Sequence, residues 1–153
     1  MIPELTREGL LPPGRHEATL GEIRRRFGVG TPVRVRLMKG LEAVLRLARK
    51  MEATVLYLDG SFVTDKKEPG DWDAVLLVPA GARIGSKEAL LLANRQEIRK
   101  RIGGDLFTVS VEDPEVPAHY VERVFVRDRE GRPKGLAVLK LARKENDDGA
   151  HQE

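Results

Sequence analysis

Two short apolar runs, Thr54 to Leu58 and Ala74 to Val78, flank a polar loop that opens with Gly60-Ser61 and closes with Asp71-Trp72-Asp73. Both runs are short and partly β-branched, and they read as two buried strands. Side chains alternate along a strand, so Asp71 and Asp73 project to one side, at the mouth of a buried strand. Two carboxylates a few ångströms apart repel each other, and a divalent cation is the natural group to hold them together. Trp72, between them, faces the opposite way and is expected in the core.

The remainder of the chain supplies cover for such a strand pair. Leu11-Pro12-Pro13-Gly14 reads as a turn-rich lead-in. Glu17 to Phe27 is expected to be a helix burying Leu20, Ile23 and Phe27, with Thr19 as its cap and Glu22 completing a capping box. Thr31-Pro32 opens a second helix that runs to about Met51. Its apolar stripe is Val33, Leu37, Leu41, Val44, Leu45 and Ala48, with Arg34, Arg36, Lys39, Arg46, Arg49 and Lys50 on the other sides. Ser86 to Ile102 reads as a third helix stopped by Gly103-Gly104. Asp105 to Val111 alternates as a strand. Val121 to Arg127 and Lys134 to Leu141 read as two further strands joined by a hairpin-like turn. The expected fold is α/β (α+β): one domain over residues 1–142, with helices over 1–51, a mixed sheet of about five strands over 52–142, and a disordered tail over 143–153.

Composition narrows the chemistry. Among 153 residues there is no cysteine, which removes disulfides, thiolate metal sites and thiol nucleophiles. The three histidines, His16, His119 and His151, are scattered without ligand spacing. There is no Gly-x-Gly-x-x-Gly, no Gly-Lys-Ser/Thr phosphate loop and no serine-hydrolase elbow. No apolar run is long enough to cross a bilayer and no secretory signal is visible, so a cytoplasmic location without membrane contact is expected. Residues 1–50 hold 11 Lys/Arg against 5 Asp/Glu, while the remainder hold 16 against 19. A basic N-terminal part beside an acidic centre suits a polyanionic partner, although a solvated helix surface has the same composition.

The pattern hydrophobic-Gly-Ser, a spacer, and Asp-x-Asp leading into an apolar strand resembles the signature of the DNA polymerase beta-type nucleotidyltransferase superfamily, in particular its small stand-alone members. The match spans Tyr57 to Val78, with Asp105 as a possible third element. The resemblance implies a magnesium-dependent enzyme that moves a nucleoside monophosphate from a triphosphate, such as ATP, to a hydroxyl. Asp71 and Asp73 match the family's first two ligands to a pair of Mg2+ ions. Asp105, at the start of a strand after a helix, matches the third carboxylate, which orients the acceptor hydroxyl. Gly60 lets the backbone approach phosphates and the Ser61 hydroxyl can donate to one. Lys66, with Lys67, lies where it can hold the triphosphate. Acceptors implied for small relatives are a protein or an RNA, tRNA included, in some cases within a toxin–antitoxin or defence pair. Asp59 stands where the family usually has an apolar residue and Asp65 where a small one is frequent, and both add negative charge near the phosphates. Two other readings fit the sequence: a catalytically inactive, antitoxin-like binding module on the same fold, and an RNA-binding protein using Arg24-Arg25-Arg26 and the basic side of the second helix.

Overall fold

A computed structural model of the chain describes residues 1–79, 87, 91–92, 94–111, 131 and 134–141. The expected strand over 121–127, its hairpin turn apart from Gly131, the Ser86 cap and the tail from 143 lie outside the described residues. The elements are β1 (Gly14–Glu17), α1 (Leu20–Phe27), α2 (Pro32–Lys50), β2 (Val55–Asp59), a 3-10 turn (Ser61–Val63), β3 (Trp72–Pro79), α3 (Arg95–Ile102), β4 (Gly104–Val111) and β5 (Gly135–Lys140). The five strands form one mixed sheet in the order β1-β5-β2-β3-β4. β2 runs antiparallel to both β5 and β3, whereas β1 with β5 and β3 with β4 are parallel pairs. The α/β class expected from the sequence is the one observed.

The helices start where their capping residues dictate. The Thr19 hydroxyl accepts from the Glu22 amide while the Glu22 carboxylate accepts from Thr19, closing the capping box. Thr31 caps α2, with Pro32 at its first turn. α3 begins at Arg95, capped by the Asn94 side chain, and ends on Gly103 in the left-handed conformation. Gly40, inside α2, is a packing residue: a Cβ there would come within 2.4 Å of the Ile102 carbonyl.

Alternation gives the sheet two unlike faces. Leu56, Leu58, Trp72, Ala74, Leu76, Leu106, Ala137 and Leu139 pack with Leu20, Ile23 and Phe27 of α1, Leu37, Leu41, Val44 and Leu45 of α2, and Ile98 of α3. The Trp72 indole is fully buried here and its Nε1 donates to the Leu37 carbonyl at 3.2 Å. The other face carries a smaller cluster of Tyr57, Val75, Leu77, Leu136 and Val138. By the same alternation Asp59, Asp73 and Asp105 fall on this second face, at one end of it.

Three expectations need correcting. The helix expected over Ser86 to Ile102 is not continuous: Asn94 has a non-helical backbone (φ −91, ψ 89) and its side chain caps a separate helix, Arg95–Ile102. The lead-in before α1 is not merely turns: Gly14 to Glu17 pair in parallel with Gly135 to Val138, so α1 begins at Leu20 rather than at Glu17. β1 is a short, charged edge strand with no apolar alternation, and only its distant partner makes it a strand. Arg34, expected on the outer side of α2, is buried at 7% exposure. Its guanidinium donates to the carbonyls of Phe27 at 3.1 Å, Phe62 at 2.8 Å and Thr64 at 2.7 Å, and to that of Lys66. It is the post around which the loop after β2 is wound.

Candidate active site

Strand register brings three aspartates into one row. Asp59 on β2 lies opposite Asp73 on β3, and Asp73 lies opposite Asp105 on β4. Paired positions in adjacent strands share a face, so these carboxylates stand side by side across three strands. Asp71 precedes β3, and its carbonyl accepts the Phe62 amide at 3.2 Å.

The loop between the halves of the motif is held by its own residues. Gly60 has φ +94, and a Cβ on it would lie 2.8 Å from the Asp73 nitrogen and 3.1 Å from the Trp72 Cα. A side chain there would therefore be strained and would also push β3 away. The Ser61 hydroxyl accepts the Gly70 amide at 3.0 Å and lies 3.4 Å from the Asp71 carbonyl, so it closes the loop on itself. The Lys66 side chain is exposed, and its backbone is tied to Arg34 and to the Thr64 hydroxyl. Thr31 donates to the Lys67 carbonyl at 3.2 Å. Asp65 is exposed, its amide donates to Gly9, and its carboxylate packs against the Gly9 backbone.

Charge around the row is partly balanced by groups from elsewhere in the chain. Asp59, only 2% exposed, receives the Lys134 ammonium on both oxygens, at 2.7 and 2.8 Å. Burial pushes the Asp59 carboxyl up, against the pull of Lys134. Asp105 accepts three hydrogen bonds from the Arg95 guanidinium fork, at 3.0 to 3.1 Å. Arg99 reaches Asp71 at 3.6 Å and Asp105 at 3.7 Å. The Arg95 guanidinium also lies 3.9 Å over the Phe107 ring. Asp73, in the middle, has no hydrogen bond or ion pair among the described residues. Burial, and then the charges of Asp71, Asp59 and Asp105, push it up to about 6.

The three carboxylates expected from the sequence, Asp71, Asp73 and Asp105, thus reach one corner of the sheet, with guanidinium groups at two of them. As arranged, no three His, Asp or Glu side chains among the described residues are grouped to grip a metal ion. The donor set itself fits Mg2+. It is made of hard carboxylate oxygens, and the central one is destabilised by like charges that a cation would relieve. Lys134, Arg95 and Arg99 also stand at this corner and have no signal in the sequence, whereas Asp59 is expected there as added negative charge. Asp59 was detectable by counting, since it ends the strand that precedes Gly60. Lys134 was not, because 75 residues separate it from Asp59.

The Asp59–Lys134 pair yields a direct test. Lys134→Met leaves a buried carboxylate without its partner and should cost about 2 kcal/mol in urea denaturation, because Lys134 keeps some contact with water. Adding Asp59→Asn should recover most of that loss.

The chain belongs to the family of unknown function DUF6932, whose match covers residues 3–140. Comparison with curated proteins and with solved structures gives no match.

Proposed function

We propose that this protein is a divalent-metal-dependent nucleotidyltransferase that moves a nucleoside monophosphate from a nucleoside triphosphate to a hydroxyl on a protein or RNA acceptor. The observation that supports this best is the register of Asp73 with Asp105, with Asp71 two residues before Asp73 and the Gly60-Ser61 turn packed on the start of the same strand. Asp71, Asp73 and Asp105 are the residues that would hold Mg2+, which, when bound, neutralises charge on the phosphates and on the departing pyrophosphate. Asp105 orients the acceptor hydroxyl and takes its proton as the oxygen bonds to the α-phosphorus and the bond to pyrophosphate breaks. Gly60 and Ser61 shape the phosphate side, and the exposed Lys66 adds positive charge there.

The test is transfer of label from α-labelled ATP, CTP, GTP or UTP with Mg2+ or Mn2+ to cell extract and to tRNA. Metal-dependent labelling that falls by about a thousandfold in Asp71→Asn and in Asp105→Asn supports the proposal. No labelling with any triphosphate and either metal contradicts it.

One observation favours a second reading. Arg95, Arg99 and Lys134 already offset much of the acidic charge, as they would in an inactive binding module that kept the fold. Calorimetry with Mg2+ and triphosphates separates the two: metal-dependent binding lost in Asp71→Asn belongs to the enzyme. The RNA-binding reading loses part of its surface. Arg24 pairs with Glu42, Arg26 donates to the carbonyls of Ile2 and Pro3, and Arg34 is buried. Arg25, Arg36, Lys39, Arg46 and Lys50 stay exposed and are the residues an RNA acceptor would meet. No helix among the described residues is long and apolar enough to cross a membrane.

A further inference from the structure

Arg95 and Arg99 stand one turn apart on α3 and reach into the same acidic corner from its open side. Their side chains are 52% and 63% exposed. Between them they engage Asp71 and Asp105, two of the three carboxylates assigned above to the divalent cation. Arg95 donates three hydrogen bonds to Asp105, and both guanidinium charges repel a cation at these carboxylates, so loading the site favours moving the arginines.

The contacts are graded in a way that makes this easy. Arg99 makes only charge contacts, at 3.6 and 3.7 Å, without a hydrogen bond to either aspartate. Exposed pairs of this kind hold weakly. Arg95 is held harder, by the fork to Asp105, and it has a second anchor in the Phe107 ring at 3.9 Å. If the carboxylate is taken by a cation, Arg95 can pivot on that ring and stay at the site.

Charge balance gives the displaced arginines a task. Among the described residues, four carboxylates, Asp59, Asp71, Asp73 and Asp105, face three basic groups, Lys134, Arg95 and Arg99, so this corner is one positive charge short. One divalent cation turns that shortfall into a surplus, and a second enlarges it. Guanidinium groups freed beside bound cations match the planar, two-oxygen geometry of phosphates. We infer that Arg95 and Arg99 are further polyphosphate-binding residues of this site, beside Gly60, Ser61 and Lys66, held on Asp71 and Asp105 until a divalent cation displaces them. The inference rests on the proposed nucleotidyl transfer and adds to it a division of labour: the aspartates take metal and α3 takes the phosphate tail.

The test uses two probes on the full chain, neither of which depends on activity. Free Mn2+ is followed by electron paramagnetic resonance, and inorganic tripolyphosphate is titrated by calorimetry at saturating Mn2+. For Arg95→Gln/Arg99→Gln, Mn2+ alone should bind about tenfold tighter, because its competitors are gone, while tripolyphosphate should bind at least about tenfold weaker. Arg99→Gln alone should move both affinities in the same two directions by less, and an unchanged thermal melt shows that the fold is kept. Affinities that stay put, or that fall together, overturn the inference and leave the arginines as fixed counter-ions. Wild-type protein that binds Mn2+ but not tripolyphosphate also overturns it, while leaving the metal site standing. Wild-type protein that binds neither removes both the inference and the transfer reading beneath it.

Discussion

Asparagine at position 73 should give a protein that melts higher than wild type at pH 7.5 and has lost the proposed transfer activity. Asp73 is pushed up to about 6 from an ordinary 3.8 by burial and by Asp71, Asp59 and Asp105. The folded chain therefore holds this proton more tightly than the unfolded chain does. The stability this contributes is fully present below about pH 4 and is lost as the pH rises through about 6. Above that, an ionised Asp73 opposes folding. Asparagine keeps the shape and removes the charge. The full shift corresponds to about 3 kcal/mol, and screening by solvent at this half-open site reduces the expected gain to about 1–2 kcal/mol, or a rise of roughly 3–6 °C in Tm. The gap between variant and wild type should narrow as the pH falls through 6 and close only below about pH 4, where Asp73 is neutral in the folded and the unfolded chain alike. At neutral pH, Mg2+ should raise the wild-type Tm and leave that of the variant in place. Transfer should fall by about a thousandfold or more, since the central ligand is gone. A variant less stable than wild type at pH 7.5 would mean that the carboxylate is already compensated within the fold. Trading stability for charge concentration in this way is common where a site must bind a cation.

Arg34→Leu should be the most damaging single change outside the acidic row. The guanidinium serves four carbonyls, those of Phe27, Phe62, Thr64 and Lys66, and thereby ties the end of α1 to the loop that carries the Gly-Ser turn. Leucine matches the burial but offers no donor, so the carbonyls that remain dry lose their partner. The expected cost is about 3–5 kcal/mol, read as a lower urea midpoint with little change in slope. Burial lowers the pKa of Arg34, with Asp65 opposing, and the group stays charged throughout the working range. Arg34→Lys keeps the charge but not the fork, and should recover only part of the loss. A loss under about 1 kcal/mol for leucine would show that the loop is held by its other contacts, chiefly Thr31 with Lys67 and Ser61 with Gly70.

These two residues also mark what can be read in the chain before its shape is known. The Asp71-Trp72-Asp73 strand, the Thr19 and Thr31 caps and the αL stop at Gly103 are local patterns that the observed elements follow, whereas the cap by Asn94, which separates Arg95–Ile102 from what precedes it, interrupts the helix expected from Ser86. Asp105 was placed by context alone, after a helix and Gly-Gly, and its register with Asp73 needed only two neighbouring parallel strands. Arg34 was misplaced although a signal was there: it precedes Leu37 and Met38 by three and four positions and so lies on the buried stripe of α2. β1 had no such signal, because its four residues are made a strand by Gly135 to Val138 at the far end of the chain. Lys134, Arg95 and Arg99 look like ordinary surface cations until tertiary structure sets them against the aspartates. The negative charge that Asp59 adds was expected to burden the phosphates. In the fold it is largely spent on Lys134, and what remains is felt by Asp73.

The claim on which the account stands is that the acidic row is a cation site. Titrating substoichiometric Mn2+ into 15N-labelled protein tests it without any assumption about nucleotide or acceptor. The account predicts selective broadening of the backbone amides of residues 59–61, 71–73 and 105, abolished in Asp73→Asn and reversed by excess Mg2+. Broadening centred on any other part of the chain, or none at millimolar Mn2+, would contradict it.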